Sequence, residues 1–489
     1  MLALSREGSL TGSIYFSDIT DGRGLFSLWL VWFAFLLGLI TLYSGQQWLL
    51  PVFVPVAYAA IAIALVTSIQ VWRDSFNPLC LICAIGFLRH LLPAAFLLNG
   101  ADPPETVRLF FQALKLTNDD WRWGHALAVM GLVAAVVGWY LVQPFKLQAM
   151  RERLNFSLVP GVKPAAFVGM LVGFAALSVF LVSNASLDVI SSGAFRATTI
   201  QSGTGKYFFV AYLLIAGSVL LSCHYLASGR TLLALVPVVS ATLFYWILGG
   251  RSRAVVSLTA GLLLLWYLYR QKKGWPKITL TNRYIFIAAF VICSVIWVSY
   301  VGALYRGELG ARAFAEALSF QALREYLAAS IFTDLGQLHS LAGAIAVGPG
   351  VLGGQTFLGA FTWPLNKLVY IPGRSAGVFI VETLVGFMTE EGKWAVNASL
   401  IGDAYLNFGL WGVPIVMALY GAVAKALYVK FRQGRVQAAV YVLALICGLQ
   451  MSWVSIEVWP QTLTLLVFTR GLIFAGETVF QAKRRRISG

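Results

Sequence analysis

The chain has 489 residues, of which 59% are hydrophobic and 11% are charged, and its mean hydropathy is +0.78. Soluble domains average about 25% charged residues, so the composition excludes a soluble protein and predicts an all-α polytopic membrane protein with one integral-membrane domain over residues 1–489. The net charge of +16 would suggest a nucleic-acid partner in a soluble protein. A membrane protein collects Lys and Arg in its cytoplasmic loops instead, so no nucleic acid is expected.

Twelve apolar runs of about 20 residues, long enough to cross a bilayer as helices, follow one another along the chain. The polar residues 1–24 that precede them show no cleavage pattern, so no signal peptide is expected. The tenth run is longer than a bilayer requires and contains Gly402, Gly409, Gly412 and Pro414, so we expect it to begin irregularly. The predicted spans lie near residues 25–43, 51–71, 78–98, 125–143, 165–183, 206–226, 231–249, 254–270, 284–302, 397–424, 437–456 and 460–480.

The distribution of Lys and Arg predicts the orientation of these spans, because cytoplasmic loops are enriched in both residues. With the N-terminus in the cytoplasm, 21 of the 36 Lys and Arg residues fall in cytoplasmic segments, and the even number of spans puts the C-terminus there too. Most loops are short, but residues 303–396 form a large extracytoplasmic loop, and long loops in compact bundles are usually functional. Apolar residues recur at helical spacing from Ala311 to Ala346, so we expect this loop to be partly helical.

Two arginines lie in the sequence GGRSR, at the turn between the seventh and eighth predicted spans. The predicted orientation places Arg251 and Arg253 at the outer interface, where a charged side chain costs less than at mid-membrane. Guanidinium groups on a glycine-supported turn suit a phosphate or pyrophosphate, because each presents a fork of donors. The alternative is that both side chains are snorkelling anchors or structural partners of other groups.

Ionisable residues inside predicted spans are functional candidates, because the bilayer makes them costly. Arg470 lies ten residues into the last span, and Asp403 lies near the outer start of the tenth. The alternative for Arg470 is a structural ion pair with Asp403 or Glu457. Arg89 and His90 lie within the third span, and for Arg89 a structural role is the favoured interpretation.

The long loop carries the remaining candidates. Asp334 and His339 are embedded in the apolar sequence IFTDLGQLHSL and are candidate bases, with a structural role as the alternative. Arg374 follows a Pro-Gly turn that can present its side chain inward. Trp363 and Tyr370 either form stacking faces for sugar rings or belong to the interfacial belt of aromatic residues.

No sequence pattern indicates a metal or nucleotide site, so neither a metal nor a cofactor is expected. The sequence SGTGKY is not a phosphate-binding loop of the Walker A type, because Ile200 stands where that motif needs glycine and Tyr207 where it needs Ser or Thr. Cys80 and Cys83 form a CxxC pair within an apolar run and have no second pair, which favours packing over zinc or redox chemistry.

Four features between residues 240 and 475 carry a family resemblance. The sequence GGRSRAVVSLTAGLLLL opens an apolar span after a turn of Gly-Ser-Arg-Gly type, and a large outer loop follows late in the chain. SLIGDAYLNFGLWGVPIVMALYG comes directly after that loop and fits G-[ED]-x-Y-x-N-F-G-x-x-G, while VFTRGLIF places an Arg-Gly in the last span. In these features the chain resembles the bacterial oligosaccharide-repeat-unit polymerases, the Wzy-type O-antigen and exopolysaccharide polymerases, which are distantly related to O-antigen ligases.

The resemblance is confined to short motifs. The first half of the chain matches the family in hydropathy alone. The last span has no acidic residue after Gly471, where relatives often have one, so the role of Arg470 is the least supported of those that the resemblance implies.

The resemblance implies a metal-independent glycosyltransferase at the periplasmic face of the bacterial inner membrane. Its substrate would be a polyprenyl-pyrophosphate-linked oligosaccharide, and the growing glycan would pass from its lipid pyrophosphate to a new lipid-linked repeat. Membrane lipids are expected partners, and a polysaccharide chain-length regulator is left open as another. The implied residues are Arg251, Arg253, Arg374, Arg306 and Arg470 for pyrophosphate, His339, Asp334 and Asp403 as candidate bases, and Trp363, Tyr370, Tyr405 and Asn407 for glycan.

Two other functions remain open. A ligase of the O-antigen type would use the same donor and transfer the glycan to a lipid or protein acceptor. A flippase or other transporter of lipid-linked oligosaccharides is disfavoured, because such proteins tend to show internal repeats and helices broken at mid-bilayer, and the sequence shows no repeat.

Overall fold

The described residues form helices joined by turns, and the β-type contact found among them is an isolated parallel bridge between Asn155 and Gln437. For these residues the all-α prediction is confirmed. The computed structural model describes residues 22–72, 74–98, 108, 111–142, 154–156, 161–184, 205–247, 251–273, 337–362, 375–385 and 397–488.

Helices lie at each of the first eight predicted spans. They are α1 (Gly22–Ser44), α2 (Leu50–Trp72), α3 (Pro78–Gly86), a π-helical segment (Phe87–Leu91), α4 (Leu92–Leu98), α5 (Asn118–Leu141), α6 (Val162–Asn184), α7 (Gly205–Val210), α8 (Tyr212–Ala227), α9 (Thr231–Ile247) and α10 (Arg251–Lys273). Local chemistry explains two of the starts. Thr117 and Asp120 form a capping box at α5, and the Asn77 side chain accepts from the Cys80 N–H, 3.1 Å away, at α3.

The second half of the chain contributes helices to the predicted loop and to the last three predicted spans. They are α11 (Leu338–Val347), α12 (Gln355–Thr362), α13 (Ala376–Val385), α14 (Ser399–Arg432), α15 (Ala438–Trp453), a 3₁₀ turn (Ile456–Val458) and α16 (Trp459–Ser488). The ninth predicted span and most of the predicted loop lie outside the described residues. Cys80 and Cys83 are buried free thiols, which agrees with the packing interpretation of that pair.

Six of the described helices are long and apolar enough to cross a membrane. Shorter apolar helices lie at the predicted third, sixth, seventh, eighth and eleventh spans. Large apolar side chains such as Trp29, Val182 and Leu232 are exposed on the surface, where a bilayer rather than water accounts for them. The protein is therefore a helical membrane protein, while the count of twelve spans and the extent of the long loop stay predictions.

Helix α5 is the buried centre of the bundle, since every residue from Gly124 to Trp139 is buried. It meets α14 at the distance of backbone contact. A Cβ added to Gly138 would collide with the carbonyl oxygen of Ala418, and one added to Gly421 would collide with that of Ala135. Without a hydrophobic driving force between helices in lipid, such close packing of small residues is a main source of association.

We predict that Gly138→Ala destabilises the bundle by about 1–3 kcal/mol, the usual cost of an overpacked core. The added methyl group has no side chain to displace, because the atom it meets is backbone. The measurement is the thermal unfolding midpoint of the purified protein in detergent. The matched control is Gly448→Ala, whose methyl group would lie at ordinary contact distance from Tyr420. Equal midpoints for the two variants would contradict the close contact.

A buried hydrogen-bonded network ties α2, α10 and α14 together at one end of the bundle. Tyr428 donates its hydroxyl to Asp74 Oδ2 at 2.7 Å and accepts from Arg432 at 2.6 Å. Arg432 also donates to the Trp72 carbonyl at 3.3 Å, and the Trp266 indole donates to Asp74 Oδ1 at 3.3 Å. We call these five residues the Asp74 network. The Tyr428 hydroxyl bridges the Arg432 guanidinium and the Asp74 carboxylate, and this arrangement lets both charges stay buried.

We predict that Tyr428→Phe costs about 1–3 kcal/mol of stability, because it leaves the buried Asp74 carboxylate and the Arg432 guanidinium each without one hydrogen bond. The unfolding midpoint in detergent should fall accordingly. The control is Tyr43→Phe, since Tyr43 is exposed on α1. A Tyr428→Phe midpoint no lower than that of the control would show that the network does not stabilise the bundle.

Candidate functional site

Helix α14 is broken at Gly409, where φ is 69° and ψ is −158°. A left-handed φ of this kind favours glycine, which has no Cβ. The break confirms the expectation of an irregular start to the tenth span. It separates a first half, residues 399–408, from a second half, residues 410–432. The last carbonyls of a helix lack N–H partners within it, so the carbonyls that end the first half need hydrogen-bond donors from elsewhere.

The predicted outer loop supplies those contacts. The Gly350 N–H donates to the Tyr405 carbonyl at 3.0 Å, and the Leu352 N–H donates to the Leu406 carbonyl at 2.9 Å. The turn that precedes α12 therefore closes the end of the first half of α14. This loop segment is part of the bundle, since it takes the place of the missing helical turn.

A side-chain clamp adds to the backbone contacts. Asn407 accepts from the Thr356 N–H at 3.2 Å and donates to the Thr356 hydroxyl at 3.1 Å and to the Asp403 carbonyl at 2.8 Å. These bonds anchor the start of α12 on α14. The amide of Asn407 is thus used within the protein, and Tyr405 beside it is buried. Glycan binding by either residue stays a prediction.

Asp403 is completely buried. Its Oδ2 accepts from the Ile456 N–H at 2.9 Å, at the start of the 3₁₀ turn between α15 and α16. Close by, the Ser399 N–H donates to the Val454 carbonyl at 3.0 Å. These bonds fasten the first half of α14 to the α15–α16 connection. They give Asp403 a structural role, and its role as a base stays a prediction.

Helix α11 carries His339 into the bundle. The helix packs on α5 so closely that a Cβ added to Gly124 would lie 2.8 Å from the Ala342 nitrogen. On its other side, Leu341 is 3.3 Å from the corresponding position at Gly402 in α14. His339 is buried, and its ring centroid is 5.9 Å from that of Phe111. A residue predicted in a loop is thus held between two helices.

Three of the chain's four histidines lie in the region where α11 packs, and His90 lies near both His339 and His125. The Tyr58 hydroxyl lies 2.6 Å from His125 Nε2, and the Gln337 N–H donates to the Arg89 carbonyl at 2.6 Å. His90 and Arg89 belong to the π-helical segment, and such segments are frequent at functional sites. We call His90, His125, His339, Tyr58 and Gln337 the histidine junction.

Three polar atoms in or next to the histidine junction are buried and make no hydrogen bond with any residue that the structure describes: His90 Nδ1, Gln337 Oε1 and the hydroxyl of Ser340, the residue after His339. Each such atom costs about 1–3 kcal/mol, so the junction holds polar groups that a hydroxyl-bearing ligand or a shift of α11 would satisfy. Across the residues that the structure describes, no group of three or more His, Cys, Asp or Glu side chains is placed to hold a metal ion.

The two arginines of the outer turn lie at the start of α10. Helix α9 ends at Ile247 and α10 begins at Arg251, in agreement with a short turn between the seventh and eighth predicted spans. The side chains of Arg251 and Arg253 lie outside what the structure describes. The other predicted site residues outside the described residues are Arg306, Asp334, Trp363, Tyr370 and Arg374.

Arg470 is exposed on α16. Val467 and Phe474, one turn to either side of it, are exposed as well, so its face of the helix is apolar. In the described part of the chain no ion pair joins Arg470 to Asp403, and that structural alternative is not supported. The side chain of Glu457 lies outside the described residues.

Sequence reasoning missed Tyr58 and His125 at the histidine junction. His125 stands at the start of an apolar run, where amphipathic residues are common at membrane interfaces, and Tyr58 is an uncharged residue within one, so neither gave a distinct signal. Asp74 was missed at the opposite end. The signal available there was one acidic residue in a short loop that is otherwise basic, since Arg73 precedes it.

Comparison of the chain with protein-family models, with curated proteins and with solved structures gives no match. The function must therefore be argued from the site and from the short motifs.

We predict that Gly409→Ala detaches the loop turn from α14. Alanine can keep the left-handed conformation at a cost of about 1–2 kcal/mol. Otherwise alanine continues the helix, and the Tyr405 and Leu406 carbonyls no longer accept hydrogen bonds from Gly350 and Leu352. Hydrogen–deuterium exchange of a peptide covering residues 348–354 should become faster. Gly448→Ala is the control, because Gly448 has no positive φ. Unchanged protection of that peptide in Gly409→Ala would contradict the docking.

Proposed function

We propose that the protein polymerises polyprenyl-pyrophosphate-linked oligosaccharide repeats at the periplasmic face of the bacterial inner membrane, with twelve spans and both termini in the cytoplasm. The observation that carries the proposal is the docking of α11 and α12 on the first half of α14. It brings the helix of His339 against Gly402, at the start of the G-D-x-Y-x-N-F-G segment. A helix of the predicted loop and the motif that follows this loop thus lie in contact.

The chemistry asks for a base and for positive charge. The acceptor hydroxyl oxygen attacks the anomeric carbon of the growing glycan, the carbon–oxygen bond to the pyrophosphate breaks, and its electron pair stays on the departing pyrophosphate. We assign the hydroxyl proton to His339, whose neutral imidazole can accept it. We assign Arg251 and Arg253 to the pyrophosphate, because charge that develops there must be met by fixed donors.

The unbonded polar atoms of the histidine junction support the same proposal. A sugar acceptor brings hydroxyl groups, each of which both donates and accepts. His90 Nδ1, Gln337 Oε1 and the Ser340 hydroxyl are complementary to such groups. The acceptor would enter by a small outward movement of α11, since these atoms are closed off in the present arrangement.

Transport of lipid-linked oligosaccharides is a second candidate because of one observation, the break in α14 at Gly409. Discontinuous membrane helices are common at the binding sites of transporters. Here the carbonyls that the break leaves without helical partners accept backbone hydrogen bonds from the loop turn, which favours a fixed structural role for the break. A ligase would use the same donor chemistry and differ in its acceptor.

We predict that deletion of the gene removes long surface glycan while single repeats still reach the surface, and that the wild-type gene restores the long chains. Arg253→Ala and His339→Gln should each lower polymer yield by about 10²-fold or more, the usual cost of a charge-stabilising donor or a general base. The measurement is the size profile of surface glycan on a gel.

The controls are chosen to match. Arg122→Ala removes an exposed arginine on the same predicted side, paired at 3.8 Å with Asp119, and His224→Gln removes the histidine outside the junction. Both should restore polymer. A full polymer yield with Arg253→Ala would contradict the assignment of Arg253 to the pyrophosphate. Polymer that accumulates on its lipid carrier would indicate a ligase, and repeats retained on the cytoplasmic side would indicate transport.

A further inference from the structure

Among the described residues, Lys425 is a buried cation that has no partner of opposite charge. Its side chain is 5% exposed, and it makes neither a hydrogen bond nor an ion pair with any residue that the structure describes. Its ammonium group lies over the ring of Trp139, whose centroid is 5.8 Å from Nζ. An ammonium group withdrawn from water in this way is costly unless an anion accompanies it. The packing of the described residues therefore does not explain why the Lys425 ammonium group is buried.

A second buried cation on α14 already shares an anion with the network around it. Arg432 lies two turns further along α14 and is also buried. Its guanidinium is 5.8 Å from the Trp72 ring centroid and 5.4 Å from that of Tyr428. Asp74, the acid of the Asp74 network, accepts from Tyr428 and Trp266, and Tyr428 in turn accepts from Arg432. Among the described residues, no acidic side chain is therefore left to accompany Lys425.

The ends of several helices indicate the depth in the bilayer at which Lys425 lies. Trp139 is two residues from the end of α5, and the neighbouring Tyr140 shares a hydrogen bond of 3.1 Å with Ser27, near the start of α1. Helix α2 ends at Trp72. Helices that span a bilayer end where its polar headgroups begin, and Trp is enriched at that boundary. Lys425 therefore lies at the depth of phospholipid phosphates, at the end predicted to be cytoplasmic.

We propose that Lys425 binds the phosphate group of a membrane phospholipid at this end of the bundle. The phosphate supplies the negative charge that the described residues do not offer Lys425, and the Trp139 ring lies beside the ammonium group, with its centroid 5.8 Å from Nζ. Basic pockets between membrane helices are known to hold lipid headgroups by this chemistry. Such a lipid would lie beside the ends of α5 and α14, far along both helices from the histidine junction, so the proposal does not depend on the glycan chemistry.

The test uses the full chain purified in detergent. The thermal unfolding midpoint is measured without additions, with phosphatidylglycerol in mixed micelles, and with inorganic phosphate at the same concentration. We expect phosphatidylglycerol to raise the midpoint of the wild-type protein and inorganic phosphate to leave it nearly unchanged. Lys425→Met should lose most of the lipid-dependent shift. The matched control is Lys430→Met, because Lys430 is exposed on the same helix and should keep the shift.

Each other outcome overturns the proposal. A lipid-dependent shift in Lys425→Met equal to that of the wild type would show that the lysine does not hold the phosphate. A full shift with inorganic phosphate alone would overturn the lipid as its source. If Lys425→Met does not fold, Lys425→Gln and Lys425→Arg replace it, and tightly bound phospholipid is counted by native mass spectrometry. The proposal then requires less bound lipid in Lys425→Gln than in Lys425→Arg, and equal amounts contradict it.

Discussion

The backbone contact between α5 and α14 is the constraint on which the rest of the structure depends. It is set by glycines, Gly138 on one helix and Gly421 on the other, so no side chain separates the two helices at these points. Once α5 is held there, its other faces are available for α11 through Gly124. The predicted outer loop can therefore enter the bundle, and His339 enters with it. A bulkier residue at any of these three positions would push out an element that the proposed site needs.

Both ends of the bundle bury polar groups. At one end the Asp74 network joins its charged groups by hydrogen bonds within the protein, although the Tyr441 hydroxyl and Gln437 Oε1 near it make none with the described residues. At the other end His90 Nδ1, Gln337 Oε1 and the Ser340 hydroxyl are likewise without a hydrogen bond among those residues. Buried groups of this kind call for an explanation in a native protein. The glycan chemistry is proposed for the second end because the helix of His339 packs there against Gly402, in the G-D-x-Y-x-N-F-G segment.

Much of the fold could be predicted from the sequence, because long apolar runs leave few alternatives to membrane helices. The break in α14 was also foreseeable, since Gly409 lies in a glycine-rich start to a run that is longer than a bilayer requires. The docking of the loop could not be predicted, because it depends on backbone bonds such as that from Gly350 to Tyr405. Any residue can make such bonds, so they leave no mark in the sequence.

Long-range pairing explains the other failures. Asp74 and Tyr428 are 354 positions apart in the chain and yet share a hydrogen bond, and nothing in either segment indicates the other as its partner. Among the residues of the histidine junction, His339 was singled out by its apolar surroundings, and its catalytic role stays a prediction. His125 was not singled out, because its place in the junction depends on the neighbours that the fold gives it.

The most direct test of the central claim is reconstitution of the purified protein in nanodiscs with the lipid-linked repeat that accumulates in the deletion strain. The products are separated by length, and released polyprenyl pyrophosphate is counted, with EDTA present to remove divalent metals. We expect a ladder of lipid-linked glycans, with one polyprenyl pyrophosphate released for each repeat added. Repeats that stay single, with no pyrophosphate released, would contradict it.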